Sequence, residues 1–366
     1  MKTIIKRDEL LKSLNCVMGA VERRQTLPIL GNILFKAEDG LLSLTATDLE
    51  IEMVCTVSSA EVPDFQTTIP ARKISDICKA LPDGSDITMT IEENKVLLVC
   101  GRSRFSLLTL PAKDFPGLDD IDSLNEFSIP QSALKSLIDK TSFAMAQQDV
   151  RYYLNGILFE LSSGLIKLVA TDGHRLALSE HQVDITLEVD KQIIIPRKGV
   201  LELARILNMS DSLVKLTLSQ NHIRVETSEL SFTSKLIDGK FPDYNRVIPV
   251  DGNKIMTVSR DQLKRSMGRI SILSNEKYRG IRLTLSEGNL TIQANNPDQE
   301  EAEEELAVNY NESLVEIGFN VTYIIDVLNV LTSEQVELKL KDSNSSCIIS
   351  DASDSASLYV VMPMRL

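Results

Sequence analysis

No stretch of the chain approaches the roughly 18 consecutive apolar residues that a membrane-spanning helix requires. The opening, Met1-Lys2-Thr3-Ile4-Ile5-Lys6-Arg7-Asp8, turns charged too early for a secretory leader. A cytoplasmic protein without membrane contact is therefore expected. Cys16, Cys55, Cys78, Cys100 and Cys347 are odd in number, lack C-x-x-C spacing and sit inside apolar runs. That pattern argues against a disulfide framework or a zinc site and predicts buried, reduced thiols. His174, His181 and His222 show no ligand spacing, so neither a metal nor a cofactor is expected. Thr47-Asp48 and Asp172-Gly173-His174 look like catalytic fragments, but no nucleophile and base accompany them, and their place at the ends of repeated strands predicts turns rather than an enzyme site. RNA-binding aromatic patterns, zinc-finger spacing and a base-reading recognition helix are also missing. Any nucleic-acid binding should then run through backbone contacts, be nearly independent of sequence and weaken steeply with salt.

What is present is repetition. At 366 residues the chain is too long for one core, and 43% apolar with 25% charged residues is the balance of ordinary globular domains. Leu27 to Phe35 followed by Gly40 to Asp48, Tyr153 to Phe159 followed by Gly164 to Asp172, and Tyr278 to Leu283 followed by Gly288 to Asn296 share one pattern of strand, turn and strand. Asp39-Gly40, Ser163-Gly164 and Glu287-Gly288 supply the turns. Amphipathic helices are predicted upstream at 8–17, 131–145 and 260–270, and downstream from 71, 197 and 321 through Leu81, Leu207 and Leu331, with proline or asparagine at the start. Leu10, Leu134 and Leu263 fall at equivalent positions, and Thr47 recurs as Thr171. A period near 125 residues means repeated whole domains, because solenoid repeats run at about 20 to 50. Phe115-Pro116-Gly117-Leu118-Asp119 and Phe241-Pro242-Asp243-Tyr244 mark linkers, giving domains at 1–122, 123–248 and 249–366. The predicted class is α+β, three copies of two helices packed on antiparallel sheets.

The net charge of −13 argues against a polyanionic partner only at long range. Arg72, Lys73 and Lys79, then Arg197, Lys198 and Arg205, then Arg260, Lys264, Arg265 and Arg269 recur at helical offsets. Each set occupies one side of its helix, as either a solvated face or a lining for phosphates.

Several strings then point to a family. Gln148-Asp149-Val150-Arg151-Tyr152-Tyr153-Leu154-Asn155-Gly156, Ala170-Thr171-Asp172-Gly173-His174-Arg175-Leu176-Ala177, Asn295-Asn296-Pro297 and Val361-Met362-Pro363-Met364-Arg365-Leu366 closely resemble the bacterial DNA sliding clamps, the beta subunits of DNA polymerase III. The resemblance runs end to end. It implies a closed ring made by a head-to-tail homodimer, with helices lining a hole for double-stranded DNA. It implies a processivity factor that encircles duplex without sequence specificity and has no catalytic site of its own. The alternative is a tandem-repeat DNA-binding scaffold that does not close.

For DNA, the resemblance carries over to Arg24, Arg72, Gln148, Tyr152, Tyr153 and Lys198. For the short peptides of the polymerase III catalytic subunit, clamp loader subunits, repair polymerases and ligase, it carries over to Leu154, Thr171, Gly173, His174, Arg175, Leu176, Pro242, Arg246, Val247, Val360, Met362, Pro363, Met364 and Arg365. For ring closure it sets the basic and apolar segment with Arg102, Arg104, Phe105 and Leu107 against the acidic run with Glu300, Glu301, Glu303 and Glu304, with Ile272 and Leu273 adding apolar contact.

Overall fold

The computed structural model describes residues 1–22, 27–57, 62–118, 125–186, 189–250, 252–352 and 354–365. Along the chain the first copy runs β1 (Lys2–Lys6), α1 (Arg7–Val17), β2 (Asn32–Glu38), β3 (Leu41–Thr47), β4 (Ile51–Val57), β5 (Phe65–Pro70), α2 (Ala71–Ala80), β6 (Asp86–Ile91), β7 (Lys95–Cys100) and β8 (Ser103–Leu108). The second repeats that order as β9 (Asn125–Pro130), α3 (Gln131–Thr141), β10 (Gly156–Ser162), β11 (Leu165–Thr171), β12 (Arg175–Gln182), β13 (Lys191–Pro196), α4 (Arg197–Ile206), β14 (Leu213–Leu218), β15 (His222–Glu226) and β16 (Leu230–Lys235). The third is β17 (Lys254–Ser259), α5 (Arg260–Ile270), β18 (Gly280–Ser286), β19 (Asn289–Asn295), β20 (Glu301–Ala307), β21 (Val315–Asn320), α6 (Val321–Val330), β22 (Gln335–Leu340), β23 (Cys347–Asp351) and β24 (Ser357–Val361).

The helices fall where the apolar spacing put them. Leu10, Leu134 and Leu263 are each the fourth residue of their helix, and all three are buried. The strands begin later than expected. Pro28–Gly31 and Tyr152–Leu154 are 3-10 turns, and the hairpin strands β10 and β18 of the second and third copies start at Gly156 and Gly280. In the second copy the reason is local. The Asn155 side chain accepts from the Asp149 backbone N–H at 2.9 Å and donates to the Asp149 carbonyl at 2.8 Å, which closes the preceding loop before the ladder can start. At the first hairpin both Asp39 and Gly40 have positive φ, 51° and 78°, the geometry a right-twisted two-residue turn demands.

One device recurs within the copies. The side chain of the first helix's opening arginine reaches the end of the second helix: Arg7 Nε donates to the Cys78 carbonyl at 2.7 Å, and Arg260 Nη1 to the Leu331 carbonyl at 2.6 Å. These carbonyls lack partners inside their own helix, so a guanidinium there satisfies them and meets the negative end of the helix dipole. At the start of α6 Asn320 caps through its side chain, accepting from Thr322 N–H at 2.9 Å; at the start of α2 Pro70 contributes its fixed backbone angle.

The chain divides into two compact units that do not follow the copies. One comprises residues 1–132 and 201–236, the other 133–200 and 237–366. Each holds one eight-stranded and one four-stranded antiparallel sheet. In the first unit β5-β2-β3-β4 joins β16-β15-β14-β9, and β1-β6-β7-β8 stands alone. In the second unit β13-β10-β11-β12 joins β24-β23-β22-β17, and β20-β19-β18-β21 stands alone. The eight-stranded sheets are therefore seams between copies, made by β4 with β16 and by β12 with β24.

Phe241 and Tyr244, read as part of a linker, are not open to solvent: they are 6% and 7% exposed and belong to an apolar cluster with Leu154, Leu158, Leu176 and Val360. One expectation needs correction. All five cysteines are free, but Cys16 and Cys100 are only partly buried, because each lies near the end of its element.

Candidate functional site

At the seam of the second unit lies a cavity of ≈ 180 Å³. Among the residues expected at a peptide pocket, Leu154, Thr171, Gly173, Arg175, Leu176, Pro242, Val247, Val360 and Met362 line it. Its floor is the rung where Leu176 faces Val360, both 2% exposed or less. Each wall has a local cause. Asp172 Oδ1 accepts from the N–H groups of His174 and Arg175 at 2.9 and 3.0 Å, and Thr171 Oγ1 donates to the Arg175 carbonyl at 2.6 Å, which folds the tight turn. Gly173 has φ +87°, and a Cβ there would lie 2.9 Å from the Arg151 guanidinium. The chain end is fixed by backbone bonds, Met362 N–H to the His174 carbonyl and Met364 N–H to the Gly318 carbonyl, both 2.9 Å.

Beneath the wall, the Arg175 guanidinium is nearly closed off from solvent. Its Nη2 donates to the Phe143 carbonyl at 2.9 Å, its Nε meets Asp172 at 3.2 Å, and its Nη1 meets Asp326 on α6. It also lies over the rings of Tyr323 and Phe143, at 4.6 and 5.3 Å from their centroids. A planar ion satisfied on its edges by carboxylates and on its faces by rings suits a half-buried site. His174 is exposed and stacks on Tyr323 at 6.3 Å. Pro363 and Met364 are half-buried, and Arg365 and Arg246 are exposed, outside the cavity lining; Arg246 Nε pairs with Asp243 at 2.9 Å.

Three lining residues were missed: Arg151, Asp243 and Tyr244. All three stand inside strings already singled out, so adjacency was the available signal. Arg151 is held by Asp149 at 2.7 Å, and that pairing keeps the Asp149 carboxyl down at about 2. Tyr244 donates to Glu160 at 2.6 Å, and burial with that partner pushes its hydroxyl above the ordinary tyrosine range.

The residues expected on DNA lie in two places. Gln148, Tyr152 and Tyr153 are neighbours in the second unit. Gln148 and Tyr152 are exposed, and the two tyrosine rings meet edge-on at 5.7 Å. Arg72, in the first unit, lines a polar cavity of ≈ 430 Å³ with Asn15, Glu202 and Arg205. Lys198 is half-buried on α4, and Arg24 lies outside the described residues. The basic helix faces divide in use. Arg205 is drawn to the Asn15 and Cys16 carbonyls at 3.0 and 2.6 Å, and Arg269 to Glu304, while Lys73, Lys79, Lys264 and Arg265 are exposed.

The ring-closure candidates occupy open edges. Arg102 precedes β8, whose Arg104 is exposed, Phe105 half-buried and Leu107 7% exposed. Glu301, Glu303 and Glu305 point to the exposed face of β20, and Glu304 to the other, where Ser266 and Arg269 hold it and lower its carboxyl. Glu300 is bonded by the Asn296 side chain at 2.6 Å. Ile272 is 75% exposed and Leu273 half-buried, in the turn after α5.

Comparison with known proteins bears directly on this arrangement. Three family profiles of the DNA polymerase III beta subunit match in order, the N-terminal domain at residues 1–119, the central domain at 128–243 and the C-terminal domain at 245–365. The chain belongs to the DNA polymerase III beta-subunit family. It is 55% identical to the beta sliding clamp of Pseudomonas aeruginosa and 51% to that of Escherichia coli, in each case over all of both chains. The crystal structure of the P. aeruginosa beta subunit superposes with a TM-score of 0.96, again covering both chains fully, and a Caulobacter crescentus pol III beta structure, 38% identical, with 0.94. The function is that of a DNA sliding clamp, and the open-scaffold alternative is not favoured. Among the described residues, no helix is long and apolar enough to cross a membrane, and no group of three or more His, Cys, Asp or Glu side chains could hold a metal ion.

Proposed function

We propose that two copies of the chain close head to tail into a cytoplasmic ring around duplex DNA, and that the cavity at the second unit's seam tethers partner peptides. We place the copy boundaries at 122/123 and 248/249. The carrying observation is the repetition of the seam. At both seams within the chain, the third strand of one copy's first sheet pairs with the last strand of the next copy. Met53 faces Phe232 and Ala177 faces Tyr359 at equivalent rungs. The strands left over are β20 and β8, the third and last strands of their sheets. Carrying the same register across two copies sets Ala302 opposite Phe105 and Glu303 opposite Arg104. It also sets Ile272, the equivalent of Phe143, beside Phe105, the equivalent of Tyr359; Phe143 and Tyr359 stand 5.9 Å apart at the second seam. A heterologous contact of this kind closes after two subunits when the rotation allows.

Arg24, Arg72, Gln148, Tyr152, Tyr153 and Lys198 then contact the DNA backbone and exposed bases, so binding slides rather than locks. The apolar cavity suits linear motifs of the polymerase III catalytic subunit, clamp loader subunits, repair polymerases and ligase. A related clamp from P. aeruginosa has been crystallised bound to griselimycin, which supports a ligand-accepting surface in the family. No catalytic site of the chain's own takes part.

Loading the protein on nicked circular DNA and then linearising the circle tests the reading: an encircling ring runs off the ends, whereas retention on linear DNA refutes it. Sedimentation of the Ile272→Ala, Leu273→Ala double variant tests the closure; monomers are expected, and an intact dimer would remove those residues from the contact.

A further inference from the structure

Most of the residues expected on DNA come from one place in the repeat. In every copy the first helix runs into a 3-10 turn, Met18–Ala20, Ser142–Ala144 and Ser271–Leu273, and a loop then leads to the first hairpin strand. In sequence, that loop holds Arg24 in the first copy and Gln148, Tyr152 and Tyr153 in the second. In the third it reads Ser274-Asn275-Glu276-Lys277-Tyr278-Arg279, and neither the peptide cavity nor the closing strands use it.

The loops of the second and third copies, both in the second unit, are built alike. One bond fixes the end of each: the first N–H of the following helix donates to the last loop carbonyl, Arg197 to Asn155 at 2.9 Å and Val321 to Arg279 at 2.8 Å. A short side chain folds the turn in each. Asp149 Oδ1 accepts from Arg151 N–H at 2.8 Å, and Asn275 Oδ1 accepts from the N–H groups of Lys277 and Tyr278 at 2.9 and 3.1 Å. Each loop also holds one long polar residue in the left-handed region, Gln148 at φ 57° and Arg279 at φ 49°. Such a backbone costs free energy for a residue with a Cβ and persists where neighbouring bonds impose it; for Arg279 these include its own N–H to the Asn275 carbonyl at 2.8 Å. The result on the surface is the same: Tyr152 and Tyr278 are each 56% exposed.

What differs is the source of positive charge. In α4 Lys198 is the second residue and in α2 Arg72 is, but α6 has Thr322 there and contains no lysine or arginine. The third loop carries the cations instead, two against the single acid Glu276. Lys277 Nζ lies 5.1 Å from the Tyr278 ring centroid, and exposed Arg279 makes only a long 3.4 Å bond from Nη1 to the Ser271 carbonyl. An open aromatic face between two cations fits a nucleobase and its flanking phosphates.

We propose that Lys277, Tyr278 and Arg279 form a further DNA contact, in which Tyr278 stacks on an unpaired base and the two cations hold the adjoining phosphates. The contact rests on the encirclement of DNA proposed above, and it gives the third copy a counterpart to Tyr152.

Fluorescence anisotropy at low salt, with the intact protein and a fluorescein-labelled duplex bearing a single-stranded extension, tests the two loops side by side. Tyr278→Ala should weaken binding roughly 5-fold or more, while Tyr278→Phe, which keeps the ring, should retain it. Lys277→Ala should reduce the slope of log affinity against log salt by about one, and so should Arg279→Asn, which suits the left-handed backbone. Sedimentation should report a dimer for every variant. If Tyr152→Ala weakens binding and Tyr278→Ala does not, the third-copy contact is overturned while the encirclement stands; if neither does, both fall. A monomeric Tyr278→Ala would assign the loop to ring closure and overturn the DNA contact.

Discussion

The seam of the first unit and the seam of the second are the same construction put to different use. Both begin from one turn: Thr47 Oγ1 donates to the Ile51 carbonyl at 2.8 Å as Thr171 does to Arg175, and Asp48 caps Glu50 and Ile51 as Asp172 caps His174 and Arg175. Both carry an aromatic ring on the last strand at the same rung. One rung on, they part. In the first unit Glu52 faces Thr233, and its half-buried carboxylate accepts from Leu118 N–H at 3.1 Å; in the second, Leu176 faces Val360. In the turn itself Leu49 has φ 75° where Gly173 has φ 87°. Repetition therefore supplies the scaffold, and a few substitutions on it turn a polar contact into an apolar cavity.

That contrast can be broken most strongly at the turn. Gly173→Leu installs the first unit's residue, whose backbone angle Leu49 already tolerates, but its Cβ meets Arg151. Peptide affinity should fall roughly 10- to 100-fold, about 1.4 to 2.8 kcal/mol by fluorescence anisotropy, with the far-ultraviolet spectrum unchanged. Unaltered affinity would detach the cavity from tethering. Deleting residues 362–366 should likewise abolish polymerase stimulation while sedimentation still reports a dimer.

Asp326→Asn comes next. It leaves Arg175 with one carboxylate in a site where its side chain is 12% exposed, and chemical denaturation should register a loss of roughly 1–3 kcal/mol.

The smallest effect sharpens the comparison from the other side. Burial raises the Glu52 carboxyl above its ordinary 4.5, so the folded state binds that proton more tightly than the unfolded chain. Stability then falls as pH rises through the glutamate range, and the penalty is present in full at neutral pH. Glu52→Gln keeps an acceptor for Leu118 N–H and should raise the melting temperature by a degree or so at pH 8. The gain should vanish below pH 4.5, and a gain independent of pH would assign it to packing instead.

The repeat was legible because each copy states its periodicity afresh: Leu10, Leu134 and Leu263 mark one face three times, and the hairpin turns are explicit. Other elements left weaker signals. β20 is Glu-Ala-Glu-Glu-Glu-Leu-Ala, a composition that reads as a solvated run, and only its pairing with β19 makes it a strand. The division of the middle copy between two compact units was invisible, because seam pairing joins residues far apart in sequence, such as Arg175 and Val361. Tyr244 looked like part of a linker because neighbouring proline and aspartate imply a turn; its burial follows from the cluster it meets.

The acidic strand also decides what cannot happen at that edge. An unpaired strand is a template for any other strand, and two copies of β20 brought together would set glutamates against glutamates along the whole ladder. Self-templated stacking of that edge into fibrils is thereby discouraged in a molecule that must keep an edge open to function. In the proposed closure, an acidic β20 set against a β8 that carries Arg104 gives an assembling pair direction as well as attraction.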